Sequence, residues 1–205
     1  EPQYEQELVA RIVKDEKGFN NNPFGSLPPL AKAIGWLILS HHRLPKWPGK
    51  RGDEGAPRIR LIDTWLERYC SPAWNSPQSL DNERTQQEWK NVWELEAGTP
   101  LRSRTWRNKA HSLAIRALKR PNLCNAEINW MEDAFSLHLA RMVLVLADHY
   151  YSAHDPVPVW QDKQFTANAN TDRTTRAPKQ KLDEHVIGVG HNAILIGRRL
   201  PDIRR

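Results

Sequence analysis

Hydrophobic positions recur along the chain with the three-to-four-residue period of helices, interrupted by polar stretches rich in Pro, Gly and Asn. Leu8, Val9, Ile12 and Val13 fall on one face of a segment from Tyr4 to about Glu16, which predicts an amphipathic helix. Asn20, Asn21, Asn22, Pro23 and Gly25 then break the pattern. Pro28 and Pro29 stand where a helix can begin, and Leu30 to His42 (LAKAIGWLILSHH) is apolar almost all round, the pattern of a buried helix. Pro45 and Pro48 end it, and Lys46 to Pro57 (KWPGKRGDEGAP) reads as a basic, linker-like loop. Arg60–Cys70, Asp81–Leu95 and Ser103–Lys119 read as further helices, the last strongly basic. Ala126 to about Ser152 is the longest helical pattern, with a dense apolar centre from Phe135 to Ala147. Gln161 to Lys179 is polar and is expected to be an exposed loop or disordered stretch. Lys181 to Leu200 forms a last helix despite Gly188, Gly190 and Gly197. Strand signals are weak throughout, so the expected fold class is all-α.

Composition narrows the class of protein. A chain of 205 residues with 39% hydrophobic residues is long enough for one domain with a core. No apolar run reaches the roughly 18 residues that a membrane span needs. The opening EPQYEQELVA is acidic and lacks the apolar region of a signal peptide. Two cysteines, Cys70 and Cys124, make no disulfide framework and no CxxC pair, so a reducing cytoplasm is the expected compartment. The net charge of +6 attracts polyanions, and nine tryptophans offer rings that, exposed among cations, suit stacking on unpaired bases.

Several residues carry possible chemistry. His41 and His42 stand in tandem at the end of the apolar helix. Imidazole is a common transition-metal ligand, although a His at a helix C-terminus also suits the helix dipole. Adjacent helical residues point about 100° apart, which favours two neighbouring metals, or one metal beside a phosphate, over joint ligation of one ion. Asp148 follows Leu144, Val145, Leu146 and Ala147 in an apolar helix, where an unpaired carboxylate is costly. It shares a face with His138, Arg141, Val145 and Ser152. That stripe is either a metal-ligating face or the seat of an Arg141–Asp148 ion pair. His185 and His191 are six apart, a poor spacing for joint ligation, and His185 suits a substrate phosphate or base. The phosphate loop, the G-x-G-x-x-G and H-E-x-x-H motifs and the nucleophile elbow are all missing, which argues against an ATPase, a dinucleotide enzyme or a serine hydrolase.

At LAKAIGWLILSHHRLP, LARMVLVLADHYYSAHD and KLDEHVIGVGHNAILIGRRLP the sequence resembles the HD-type nuclease domain of the CRISPR-associated helicase–nucleases. The form it resembles is type I-F, in which a Cas2-like segment precedes the HD domain and a superfamily-2 helicase follows it. The resemblance spans roughly residues 4 to 200 and places a Trp-rich helical insert at about 58–120 and a polar loop at about 161–180. It implies a single all-α bundle holding one or two divalent metals (Mn, Ni, Co, Fe or Mg), with His41, His42 and Asp148 as catalytic metal ligands. The implied reaction is metal-dependent cleavage of the single-stranded DNA displaced by an RNA-guided complex.

Two departures stand beside the resemblance. The His-Asp doublet that names the superfamily does not precede His41; the only such dipeptide is His154-Asp155. Gln6 stands near where the family has another His, and an amide binds transition metals weakly. The chain is accordingly expected to be part of a longer protein. Lys46, Trp47, Lys50 and Arg51 are the first candidates for a DNA path, Arg102, Arg104, Arg107 and Lys109 are a second choice, and His185 is a further candidate contact. Expected partners are single-stranded DNA, the RNA-guided surveillance complex, the Cas2-like and helicase domains, a Cas1-type integrase and a phage anti-CRISPR protein. The competing reading is a catalytically silent docking scaffold.

Overall fold

The computed structural model of the chain describes residues 2–16, 24–42 and 97–200. These divide into two compact units, one gathering residues 2–16, 97–119 and 143–200, the other 24–42 and 120–142. The predicted helices at 60–70 and 81–95, the basic loop from Lys46 to Pro57 and most of the Trp-rich insert lie outside the described residues.

In the unit of 24–42 and 120–142, helix α2 (Pro29–Ser40; α1 belongs to the other unit) starts with proline in its first turn, where the missing N–H has no intrahelical partner to lose. Ala33, Trp36, Met131 and Leu137 form its core, with Phe24, Leu37, Leu39 and Trp130 packed against them. Gly35 admits the Phe24 ring, which a Cβ there would overlap. The helix is not buried all round, because Ile34 and Ile38 remain exposed.

The long predicted helix also starts later than its pattern suggested, at Ala134. Asp133 ends the preceding turns by accepting from Ser136 N (2.9 Å) and Ser136 Oγ (2.6 Å), a side-chain cap. These bonds, the hydroxyl's first, hold the Asp133 carboxyl below its ordinary range. Upstream lie a four-residue helix, Pro121–Cys124, and a series of turns in which the Trp130 indole donates to the Leu123 carbonyl (3.2 Å).

The other unit contains α1 (Pro2–Glu16), whose Leu8, Val9, Ile12 and Val13 are half-buried as the pattern predicted. Pro100–Arg102 forms a short 3-10 turn, and Ser103 caps α3 (Arg104–Leu118) by accepting from Trp106 N (3.1 Å). Counting the Pro121–Cys124 helix as α4 and Ala134–Ala153 as α5, the later half of α5 packs on α6 (Leu182–Arg199). Ala147, Tyr151 and Val189 are the centre of that core, and Leu144, Val157, Trp160, Ala193 and Ile196 surround it.

Between α5 and α6 the expected polar loop is partly ordered as an antiparallel hairpin, β1 (Asn168–Thr171) with β2 (Pro178–Lys181). Its turn is set by Asp172 Oδ1, which accepts from Thr174 N (2.9 Å) and Thr175 N (2.7 Å), and by Arg176 at a left-handed φ of 61°. The hairpin escaped prediction because its strands, NANT and PKQK, carry no apolar alternation. Apart from this hairpin the described secondary structure is helical, in agreement with the all-α expectation.

The glycines of α6 differ in purpose. A Cβ on Gly188 would overlap the Tyr151 ring, whereas one on Gly190 would meet nothing within 4 Å. Gly188→Ala is therefore expected to destabilise the protein by about 1–3 kcal/mol through overpacking. Gly190→Ala should stabilise it by roughly 0.5–1 kcal/mol through helix propensity. Thermal or denaturant melts of the two variants check this opposition of sign.

Candidate metal centre

The tandem histidines take their place from the way α2 ends. Ser40 is fully buried, and its hydroxyl donates back to the Trp36 carbonyl (2.6 Å) while accepting from Arg141 Nη2 (2.8 Å). Arg141 is thus engaged with the end of α2, and its burial lowers the guanidinium pKa from its ordinary value. His41 caps the helix, half-buried, and its Nδ1 lies 2.6 Å from the Ile38 carbonyl. That oxygen only accepts, so Nδ1 carries the proton and Nε2 presents the lone pair, the form in which imidazole binds a metal. His42 lies beyond the helix, and the two rings adjoin with centroids 3.9 Å apart. The rings adjoin although His41 itself keeps helical backbone angles, φ −68° and ψ −36°.

Asp148 sits on α5, half-buried, in the unit that contains α6. His185 Nε2 lies 2.9 Å from its Oδ1, and the two side chains are only 13% (His185) and 14% (Asp148) exposed. The opposite nitrogen of the ring, Nδ1, lies 3.0 Å from Gln180 Oε1, and the Tyr151 ring meets it in a T-shaped contact with centroids 5.8 Å apart. Asp148 therefore pairs with His185 on another helix, while the Arg141 of its own stripe turns to Ser40.

Beside this pair the first turn of α6 buries two consecutive acids completely, Asp183 and Glu184. Asp183 accepts from Ser103 Oγ (2.7 Å), Asp162 N (2.8 Å) and Glu184 N (2.9 Å). Glu184 accepts from the Tyr151 hydroxyl, Val157 N (2.9 Å) and Gln161 Nε2 (3.1 Å). Burial first, and then the bond and charge of Glu184, push the Tyr151 phenol well above its ordinary value.

Of the candidate DNA contacts, Arg104 is exposed at the start of α3. Arg107 faces inward: its Nη1 donates to the carbonyls of Leu101 (2.7 Å) and Arg102 (2.8 Å), and its Nη2 pairs with Glu5. His185 likewise has internal partners, so both side chains hold the fold together in ways the sequence did not announce. Lys46, Trp47, Lys50 and Arg51 lie outside the described residues. Lys109 lines a cavity of about 270 Å³ between α3 and α6, with Trp106, Arg116 and Arg198. The His154 ring turns back to its own helix, with Nδ1 2.6 Å from the Tyr150 carbonyl, and His191 stands beside the Trp160 ring.

Imidazole nitrogens and a carboxylate are the donor set of a divalent transition metal, and the lone pair that His41 presents fits that assignment. Two curated relatives carry the same segment. The CRISPR-associated nuclease/helicase Cas3 subtype I-F/YPEST of Pectobacterium atrosepticum is 43% identical over 200 residues, which is 96% of this chain. The protein of the same name from Pseudomonas aeruginosa is 35% identical over the same share. This chain is homologous to a segment of these nuclease/helicases. It spans 18% of the length of each. No family model matches it. Among the described residues no helix is long and apolar enough to cross a membrane.

Within the segment shared with the nuclease/helicases, Gln180, Asp183, Glu184 and Tyr151 are the residues that sequence reasoning missed. Acids in the first turn of a helix are ordinarily read as solvent-facing complements to its dipole. Only the tertiary packing shows that these two are enclosed and that Gln180 and Tyr151 serve the same cluster.

The raised Tyr151 phenol has a consequence for stability. Its contribution is complete below the unfolded-state value of about 10 and is lost progressively as pH rises beyond it, because the unfolded chain ionises first. Tyr151→Phe removes a donor to Glu184 and should cost about 1–3 kcal/mol at neutral pH. Above pH 10 that gap should narrow, and chemical melts at pH 7 and about 10.5 measure it.

Proposed function

We propose that this chain forms a single HD-type nuclease domain that cleaves single-stranded DNA with a divalent metal held by His41, His42 and Asp148. The observation that carries the reading is identity of 43% over 96% of the chain with a protein named as a CRISPR-associated nuclease/helicase. The tautomer of His41 and the adjoining His42 ring support it from the side of the ligands. A bound divalent cation activates water and stabilises the attacking and leaving oxygens at a phosphodiester. The chain's own part is to orient the ligands: Ser40 and Arg141 fix the end of α2 before the tandem histidines, and His185 meets the Asp148 carboxylate.

On this reading the substrate is the strand displaced by an RNA-guided surveillance complex in the cytoplasm. Cas2-like and helicase domains, a Cas1-type integrase and a phage anti-CRISPR protein are the proposed partners. Lys46, Trp47, Lys50, Arg51 and Arg104 are the proposed DNA contacts. A second reading, the catalytically silent docking scaffold, is favoured by one feature: Gln6 stands near where the resembled family has a histidine, and an amide binds transition metals weakly.

Calorimetric titration with manganese or nickel, paired with a single-stranded DNA cleavage assay, separates the two. Metal-dependent cutting is expected, and it should fall to background in the His41→Ala/His42→Ala variant. A folded chain that takes up no metal would instead mean that it is only part of a nuclease, or a scaffold. For the DNA path, neutralising Lys46, Lys50 and Arg51 should flatten the dependence of log K on log salt by about 0.7 for each phosphate deprived of its cation. An unchanged slope would remove that loop from the path.

A further inference from the structure

Gln180 is fully buried on β2, and its amide orientation is settled by its surroundings. Its Nε2 donates to two carbonyls, Tyr151 O (3.0 Å) and His154 O (2.9 Å), both at the C-terminal end of α5. A flipped amide would put oxygen against oxygen twice, so Oε1 must lie on the opposite side. There it accepts from Asn170 Nδ2 (2.7 Å), its cross-strand neighbour, and meets His185 Nδ1 at 3.0 Å. The His185 ring is consequently gripped at one nitrogen by a group that is itself fixed by three bonds, and its other nitrogen is aimed at Asp148 Oδ1, 2.9 Å away. The Tyr151 ring bounds its edge.

From this geometry we propose that His185 is a positioning residue, which holds the Asp148 carboxylate in the orientation needed to ligate the metal. The inference rests on the reading of Asp148 as a metal ligand. A carboxylate has two oxygens and several lone pairs, so the bond from His185 restricts its rotation without exhausting its capacity as a ligand. Groups that hydrogen-bond to ligating carboxylates commonly change metal affinity by about 10- to 100-fold when removed. The hairpin that supplies Gln180 thereby acquires a part in the metal site although it carries no ligand.

Two near-isosteric substitutions separate positioning from simple packing. His185→Gln can place its amide nitrogen at the reach of Nε2 and keep the bond to Asp148. His185→Asn reaches only as far as Nδ1 and keeps the bond to Gln180. Manganese binding by calorimetry and metal-free melting temperatures would be measured for wild type, both variants and Asp148→Ala. Positioning requires His185→Asn to bind manganese about 10- to 100-fold more weakly while His185→Gln stays within about threefold of wild type. Loss of binding in Asp148→Ala with wild-type affinity in both His185 variants would overturn it. So would equal weakening in both variants that tracks their melting temperatures. If wild type takes up no manganese, or Asp148→Ala binds as well as wild type, the ligand reading of Asp148 itself fails and the positioning role falls with it.

Discussion

Two neighbouring carboxylates without access to solvent, Asp183 and Glu184, organise the unit that carries Asp148. A buried acid is tolerable only where donors replace the water it has lost. Here those donors come from distant parts of the chain: the hydroxyl of Ser103 before α3, the backbone of Val157 and Asp162, the amide of Gln161, and the Tyr151 phenol on α5. Each stretch is located by an obligation to satisfy charge or polarity, which is directional, and less by apolar contact, which is not. His185 is the next residue along, so the first turn of α6 that meets these demands also sets where its ring begins.

The other unit uses a smaller version of the same device. Ser40 is buried where α2 ends, donating to the turn behind it and accepting from Arg141. This junction fixes the direction in which the chain leaves the helix, and with it the adjoining rings of His41 and His42. In both units the candidate ligands are ordinary in their own contacts. Their placement is decided by polar neighbours that the chemistry does not use.

That division explains what the sequence revealed. Helix α1 was legible because its apolar residues recur with helical period, a period imposed by burial on one face, and α2 because its apolar run follows two prolines at its start. The start of α5 falls at Ala134 and not near Ala126 because Asp133, a cap, overrides an apolar pattern that continues upstream. The hairpin was invisible because strands held by Asn170–Gln180 contacts need no alternating apolar face. His41, His42 and Asp148 could be singled out as polar residues in apolar surroundings, whereas Gln180, in a polar stretch, gave no such contrast. Its enclosure depends on the end of α5, far back along the chain, and no local pattern encodes that.

The enclosure of Gln180 also sets a timescale. A side-chain amide at the surface exchanges its protons with water readily, and free rotation exposes both. In Gln180 the amide nitrogen is held by two carbonyls inside the protein. Its protons can leave only when the hairpin separates from the end of α5, so in heavy water their persistence is a clock for that local opening. The same seal keeps water from the amide carbon, which shields this glutamine from deamidation for as long as the two elements stay joined.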